Sequence, residues 1–403
     1  MKKVLLAYSG GLDTSYCAVY LAKTLGYQVY AVCINTGGFS SNELKQIEDR
    51  ALAAGVYKFE ALEETQRYYE KVVRFLIFGN VLKNQSYPLS VSAERIAQAS
   101  ALAAYAHKIG ADAVAHGSTG AGNDQIRFDM ILQNLLPGIE IITPIRDQQL
   151  SREQELTFLA EHGLPFNKEK ASYSINQGLW GTSVGGKETL NSLGSLPESA
   201  WPVQATETKE QEIRIRFEKG EPIGLNGTNY AHPAELIQAL HTLAAPYGIG
   251  RDIHVGDTIL GIKGRVGFEA AAPIILLKAH HLLEKHVLTR SQQNWKEQIG
   301  QFYGNNLHEG MYLDPVMRNM EAFLADSQKQ VSGEVHVRLH AYRFELVGIE
   351  SPHDLMSAKY GTYGEMNRAW TGEDVKGFIR IYGNQNSMYY QINGEENPYH
   401  EYH

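Results

Sequence analysis

Val4-Leu5-Leu6-Ala7-Tyr8-Ser9-Gly10-Gly11-Leu12-Asp13-Thr14-Ser15 is the stretch from which the fold can be read. Its leading apolar residues have the pattern of a short buried strand, and Ser9-Gly10-Gly11 is a turn. From Thr14 the period becomes helical. Ala18, Val19, Leu21, Ala22 and Leu25 fall at helical spacing, and Gly26 stands where a helix C-terminal glycine belongs. A glycine turn between a strand and a helix N-terminus aims several backbone N–H groups at one point, and the helix dipole adds partial positive charge there. The stretch reads as a cradle for phosphate.

Spacing excludes two familiar cradles. No lysine follows the glycines as a Gly-x-x-x-x-Gly-Lys loop requires, and Gly10-Gly11 does not supply Gly-x-Gly-x-x-Gly. Ser-Gly-Gly-x-Asp-Thr-Ser directly after a first strand resembles the pyrophosphate loop of the ATP pyrophosphatases, which split ATP into AMP and pyrophosphate.

Composition narrows the class. With 403 residues, 43% hydrophobic and 20% charged, the chain has enough material for two ordinary globular domains. No apolar run approaches the roughly 18 residues of a membrane span, and the short apolar run before Ser9 is no signal peptide. Cys17 and Cys33 form neither a disulfide framework nor a Cys-x-x-Cys pair, so buried thiols and a cytoplasmic location are expected. A net charge of −8 without a Lys/Arg cluster argues against nucleic acid as a partner.

Strand and helix patterns alternate over residues 1–165. Strands are expected at 29–34, 56–61, 111–116 and 140–143, with helices from the capping boxes Ser40-x-x-Glu43 and Ser151-x-x-Gln154 and over 65–79, 93–107 and 125–135. Such β–α repeats predict an α/β fold, a doubly wound parallel sheet with its ligand beyond the strand C-terminal ends. The cradle lies at one such end. Gly117-Ser118-Thr119-Gly120-Ala121-Gly122-Asn123-Asp124-Gln125-Ile126-Arg127 lies at another. Its three glycines permit close backbone approach, and its polar groups crowd together as a small-substrate site requires.

These residues resemble the argininosuccinate synthase family. The likeness rests on Ala7 to Ser15 and on His116-Gly117-x-Thr119-Gly120-x-Gly122-Asn123-Asp124-Gln125-x-Arg127-Phe128, and continues through Tyr173-Ser174 and Gly250-Arg251. It implies ATP-driven joining of citrulline and aspartate through a citrullyl-adenylate, with ATP as co-substrate, Mg²⁺ and a homotetramer. Ala7, Tyr8, Ser9, Gly10, Gly11, Leu12, Asp13, Thr14 and Ser15 would bind the ATP phosphates, with Ile34 and Gly117 near the adenosine. Thr119, Asn123 and Asp124 would hold aspartate. Tyr87, Ser92, Asn123, Arg127, Ser174 and Ser183 would hold citrulline, Arg127 on its carboxylate. Asp124 and Asp13 are the candidate catalytic residues, Asp124 toward the aspartate amine. No metal-ligand set is assigned; Asp13 reads equally as a metal contact or a helix cap.

The chain departs from the family pattern at the citrulline head group. Many members carry Tyr-Ser-x-Asp-x-Asn where this one has Tyr173-Ser174-Ile175-Asn176-Gln177-Gly178. An acidic citrulline ligand is replaced by Gly256 and a tyrosine ligand by Phe268. Asp257, His254 and Glu269 are the expected stand-ins.

After residue 165 the pattern changes. Glu212 to Phe217 and Val335 to Leu339 alternate strictly, each followed by a second strand-like run, as half-exposed antiparallel strands of an α+β synthetase domain do. His280, His281 and His286 have no Cys or paired acid beside them and read as structural rather than metal-binding. Thr371-x-x-Asp374 caps a last helix bearing Val375, Phe378, Ile379 and Tyr382, followed by an aromatic tail over 389–402. The expected division is 1–165 nucleotide-binding, 166–365 synthetase and 366–403 an inter-subunit helix and tail. Two alternatives remain at this stage: another ATP pyrophosphatase with a different amide or ureido acceptor, and a non-catalytic nucleotide-binding paralogue.

Overall fold

The computed structural model describes residues 1–166, 173–357, 361, 363–365 and 369–394. They fall into two compact units, Met1–His353 and Asp354–His403.

Residues 1–166 form the α/β layer. Strands β1 (Lys3–Ala7), β2 (Gln28–Asn35), β3 (Lys58–Glu63), β4 (Ala113–Ala115) and β5 (Glu140–Ile142) lie in the order β3-β2-β1-β4-β5, and every pairing is parallel. Val4, Leu5 and Leu6 are fully buried because helices cover both faces of the sheet. The order reverses between β1 and β4, so the loops after these two strands meet at the switch point. Gly117 makes that meeting possible: a Cβ there would lie 3.2 Å from the Asp13 carbonyl carbon and the Thr14 nitrogen.

Both capping boxes form, at Ser40 and Ser151. The first helix starts at Leu12, two residues before the expected Thr14, and its last turn, Tyr20–Thr24, is widened to π geometry. The third strand begins at Lys58 rather than Val56. Gly55 ends the preceding helix with φ +93°, and the Val56 N–H still bonds back to Ala51 O at 3.4 Å. Ser90–Ile109 is three residues longer at its start than the pattern 93–107 suggested, with Leu89 in the left-handed region leading into it.

The later strands are β6 (Ser174–Gly178), β7 (Gly181–Gly185), β8 (Gln211–Glu218), β9 (Glu221–Leu225), β10 (Thr228–Asn229), β11 (Arg251–Asp257), β12 (Lys263–Glu269), β13 (Gly333–His340) and β14 (Arg343–Glu350). They build two antiparallel sheets, β11-β12-β7-β6 and β10-β9-β8-β13-β14. In β8 the alternation of exposed Arg214 and Arg216 with buried Ile213, Ile215 and Phe217 is the expected one-faced strand. Helices Ala271–Val287, Arg290–His308 and Pro315–Ser327 pack into the same large core. His280 is buried there, its ring nitrogens bonded to Asn80 Oδ1 at 2.7 Å and Gln328 Oε1 at 2.8 Å, a structural histidine as expected.

In the second unit, Thr371 and Asp374 form the anticipated capping box of helix Gly372–Tyr382, and a further helix, Asn384–Asn393, follows. Phe378, Ile379, Ile381 and Tyr382 are exposed. The rest of the aromatic tail lies outside the described residues.

Candidate active site

A cavity of about 680 Å³ opens at the C-terminal ends of β1, β2 and β4. Ala7 to Thr14 form one side, with Ile34, Gly117, Thr119, Asp124 and Ser174 also on its wall.

The phosphate loop is built by backbone constraints. Gly10 has φ +74°, and a Cβ there would lie 3.0 Å from Ile47. Arg50 donates to Gly10 O at 2.6 Å. Thr14 Oγ1 donates to Gly11 O at 3.3 Å and lies 3.3 Å from Ser9 Oγ, tying the two hydroxyls together. Gly11 is the N-cap of helix Leu12–Val19 and has no side-chain cap, so the first helical N–H groups face the cradle without an internal competitor. Asp13 sits in the first turn rather than at the cap. Ser15 departs from its expected role. Its hydroxyl is fully buried 3.2 Å from Tyr8 Oη, and its N–H bonds to Gly11 O at 3.0 Å, so it braces the loop and does not line the cavity.

Glu155, on helix Arg152–Glu161, stands against Asp13. Burial and the neighbouring Asp13 carboxylate push its carboxyl up to about 8, and its Oε2 is buried without a hydrogen-bond partner.

The second loop is held by side chains that turn inward. Gln125 Nε2 donates to Gly120 O at 2.7 Å and Gly122 O at 3.2 Å. The Ser118 N–H bonds to His116 Nδ1 at 3.3 Å, which places the ring proton on Nε2, 2.8 Å from Asp129; Asp129 also accepts from Arg146 at 2.7 Å. Asn123 is directed away from the cavity wall: its Oδ1 accepts from the Ile259 N–H at 2.8 Å in the turn after β11.

Asp124 is clasped by two guanidinium groups. Arg95 Nε donates to Oδ2 at 2.8 Å and Arg127 Nη1 to Oδ1 at 3.0 Å. Burial pushes the carboxyl up, but the two arginines outweigh it and hold it below the usual aspartate range. Arg95 also donates to Asn176 Oδ1 at 2.6 Å and Gln98 Oε1 at 2.9 Å, joining helix Ser90–Ile109 to β6.

Tyr87, Ser92, Arg127 and Ser183 come together, but they are buried and do not line the cavity. His308, the last residue of its helix, organises this cluster. Its Nδ1 is 2.8 Å from Ser92 Oγ and 3.3 Å from Arg127 Nη2, while its carbonyl accepts from Arg127 Nε at 2.9 Å. Burial and the adjacent Arg127 hold its ring down to about 2. The cluster continues through His254, stacked on Tyr87 with centroids 4.8 Å apart, to Phe268, whose ring centre lies 5.4 Å from that of Tyr87. Asn176 of β6 faces Ser183 of β7, and Ser183 faces Phe268 of β12.

The region of residues 3–165 matches the family model for the arginosuccinate synthase N-terminal HUP domain, and residues 173–389 match that for the arginosuccinate synthase C-terminal domain. The chain belongs to the argininosuccinate synthase family. It is 36% identical to the argininosuccinate synthase of Methanocaldococcus jannaschii, over 95% of this chain and 97% of the relative. With that of Xanthomonas campestris it shares 36% identity over 97% and 99%, and with that of Dictyoglomus thermophilum 34% over 96% and 97%.

Within this argininosuccinate synthase framework the departures have structural reasons. A Cβ on Gly256 would lie 2.5 Å from His254 Nε2, so the imidazole occupies the space a side chain at 256 requires. Phe268 is 1% exposed and packs on Tyr87 without a polar partner. Of the three expected stand-ins, Asp257 is exposed and paired with Lys263 at 2.8 Å. Glu269 is fully buried and bonded to Arg251 at 2.9 Å. His254 alone reaches the cluster, and burial keeps its ring neutral, below the usual histidine range.

Sequence reasoning missed Arg95, Glu94, Glu155 and His308. A usable signal existed for the first two. Glu94-Arg95 is the one charged pair in a stretch, Ser90 to Ala106, that is otherwise uncharged, and adjacent opposite charges on a buried helix need partners across the chain.

Proposed function

We propose that this chain joins L-citrulline to L-aspartate at the expense of ATP, releasing AMP and pyrophosphate and forming argininosuccinate. The observation that carries the reading is the convergence of the uncapped phosphate loop and the doubly clasped Asp124 on one cavity at the switch point of the sheet. Membership of the argininosuccinate synthase family supports it.

A ureido carbonyl is a poor electrophile. Its oxygen attacks the α-phosphorus of ATP, pyrophosphate departs, and the ureido carbon then carries AMP as leaving group. The aspartate nitrogen attacks that carbon, the C–O bond to AMP breaks, and the nitrogen gives up its proton. No covalent enzyme nucleophile is required, so alignment and charge neutralisation supply the acceleration. The helix N-terminus at Gly11, with the Ser9 and Thr14 hydroxyls, would receive phosphate oxygens, and Ile34 and Gly117 the nucleoside. Asp124, kept ionised by Arg95 and Arg127, would orient the incoming amine, with Thr119 on the aspartate carboxylates; Asn123, bonded to the Ile259 N–H, would reach them only by turning toward the cavity. Tyr87, Ser92, Arg127, Ser174 and Ser183 would hold citrulline. For Arg127 this means exchanging its Asp124 bond for the substrate carboxylate, a bidentate partner suited to a guanidinium fork.

Asp13, on the cavity wall in the first turn after the phosphate loop, is the residue that would hold Mg²⁺. Bound there, Mg²⁺ would neutralise phosphate charge. The family resemblance also implies a homotetramer; the uncovered apolar residues of helix Gly372–Tyr382 support subunit association. Among the described residues no helix is long and apolar enough to cross a membrane, in keeping with a cytoplasmic enzyme.

The test is pyrophosphate release from ATP and Mg²⁺ with citrulline and aspartate added singly and together. Release that needs both, with argininosuccinate appearing in step, establishes the reading. ATP binding without citrulline-dependent turnover overturns it in favour of another acceptor or a nucleotide sensor.

A further inference from the structure

Helix Ser90–Ile109 carries a carboxylate that the reaction outlined above does not use. Glu94 is 3% exposed yet belongs to the cavity wall. Its Oε1 is saturated, accepting from Thr36 Oγ1 at 2.7 Å and from Gln98 Nε2 at 2.8 Å. Its Oε2 has no hydrogen-bond partner; the nearest cation, Arg95 Nη1, is 4.0 Å away and committed to Gln98. A buried carboxylate oxygen left unpaired is costly, and such groups persist where a partner arrives from outside.

The two oxygens divide the site between them. Oε1 is spent on Thr36, just beyond β2 and next to the nucleoside side at Ile34. Oε2 lies on the Arg95 side, against β6, where a Cβ on Gly178 would come within 2.9 Å of it. That strand carries Ser174 and Asn176 on the same cavity wall. The missing partner therefore belongs to the acceptor amino acid rather than to the nucleotide. An amino acid brings an ammonium group, which requires an anion when it is desolvated. Of the other acids near the acceptor cluster, Asp124 is held by two arginines and Asp257 by Lys263. Glu269 also has an unpaired oxygen, Oε1, but its Oε2 is bonded to Arg251 and the residue does not line the cavity.

We infer that Glu94 is a specificity-determining residue whose free oxygen receives the α-ammonium group of the ureido amino acid. The inference rests on the ligation proposed above and adds the residue that separates an amino acid from a plain ureido acid. Gly178 is part of the same device, since a side chain there would close the space beside Oε2.

The experiment compares wild type with Glu94→Gln, and with Glu94→Asp as a second variant that keeps the charge but withdraws it. KM values for citrulline, ATP and aspartate are measured by pyrophosphate release, together with turnover of 5-ureidopentanoate, which is citrulline without its ammonium group. Wild type is expected to prefer citrulline by at least about tenfold. Glu94→Gln should raise the citrulline KM by about tenfold or more, leave the ATP and aspartate KM values within about twofold, and abolish the preference over the analogue. Glu94→Asp should fall between the two. A preference that survives Glu94→Gln overturns the inference, as does a rise in ATP KM equal to that for citrulline, which would assign the oxygen to the nucleoside. Wild type that releases no pyrophosphate with citrulline defeats the ligation itself, an outcome separate from the other two.

Discussion

Arg95 and Asp124, both on the cavity wall, meet at 2.8 Å, and the same guanidinium reaches Asn176 at 2.6 Å. One side chain thus fixes both the carboxylate at the start of helix Asp124–Leu135 and the wall strand β6.

Removing that clasp should be visible in the pH profile. Asp124 is held ionised by its two arginines against the effect of burial, so its deprotonated form persists to low pH. With Arg95→Gln the carboxyl rises toward ordinary values, and the acid limb of the rate–pH profile should move to higher pH. We expect kcat/KM for aspartate to fall by about ten- to a hundredfold at neutral pH. An unmoved acid limb would show that Asp124 is not the group that titrates.

His308 should act as a neutral hydrogen-bond acceptor only. Its ring is held down to about 2, so no proton is gained across the working range. Asn presents an oxygen near the position of Nδ1, so His308→Asn should keep the acceptor KM within about threefold, whereas His308→Ala, leaving Ser92 and Arg127 Nη2 unmatched, should raise it about tenfold. Neither change should alter the shape of the pH profile. Equal losses for Asn and Ala would contradict this.

Restoring an acid at position 256 should fail unless His254 is removed as well. Gly256→Glu places a Cβ against His254 Nε2, an overpacking change expected to cost about 1–3 kcal/mol. The double change Gly256→Glu/His254→Ala should be less destabilised than the sum of the two single changes. Thermal melts of all four proteins measure that coupling directly.

Glu155 predicts a pH-dependent stability. An acid whose folded value lies above the 4.5 of the unfolded chain keeps a proton that the unfolded chain has released, so stability falls as pH rises from 4.5 to about 8. Glu155→Gln, which mimics the protonated form, should flatten the Tm–pH curve over that window and raise Tm at its upper end. A curve as steep as wild type would mean that the pair with Asp13 does not set the slope.

The sheet and its loops were legible because they depend on neighbours in sequence. Glycine turns, capping boxes and two-residue alternation are local signals, and Ser40, Ser151 and Thr371 cap the helices they announce. Errors at the edges also have local causes, as where Gly55 delays β3. The acceptor cluster was less legible. Tyr87 and Ser92 meet His254, Phe268 and His308 only through tertiary packing, and no spacing along the chain encodes the 2.8 Å contact between Ser92 and His308. Asp257 and Glu269 illustrate the opposite error. Both lie near the altered positions in sequence, yet each is neutralised by its own basic partner.

Cys17 and Cys33, which are free and buried, sit under the phosphate loop, one in the helix it caps and the other in β2. Burial raises both thiols, Cys33 to about 12, so neither is a nucleophile in the closed protein. Alkylation must therefore wait for local opening, and its rate in iodoacetamide clocks the breathing of this layer without any label being introduced. Saturating nucleotide should slow that clock, which turns two inert side chains into a ligand-binding assay that needs no turnover.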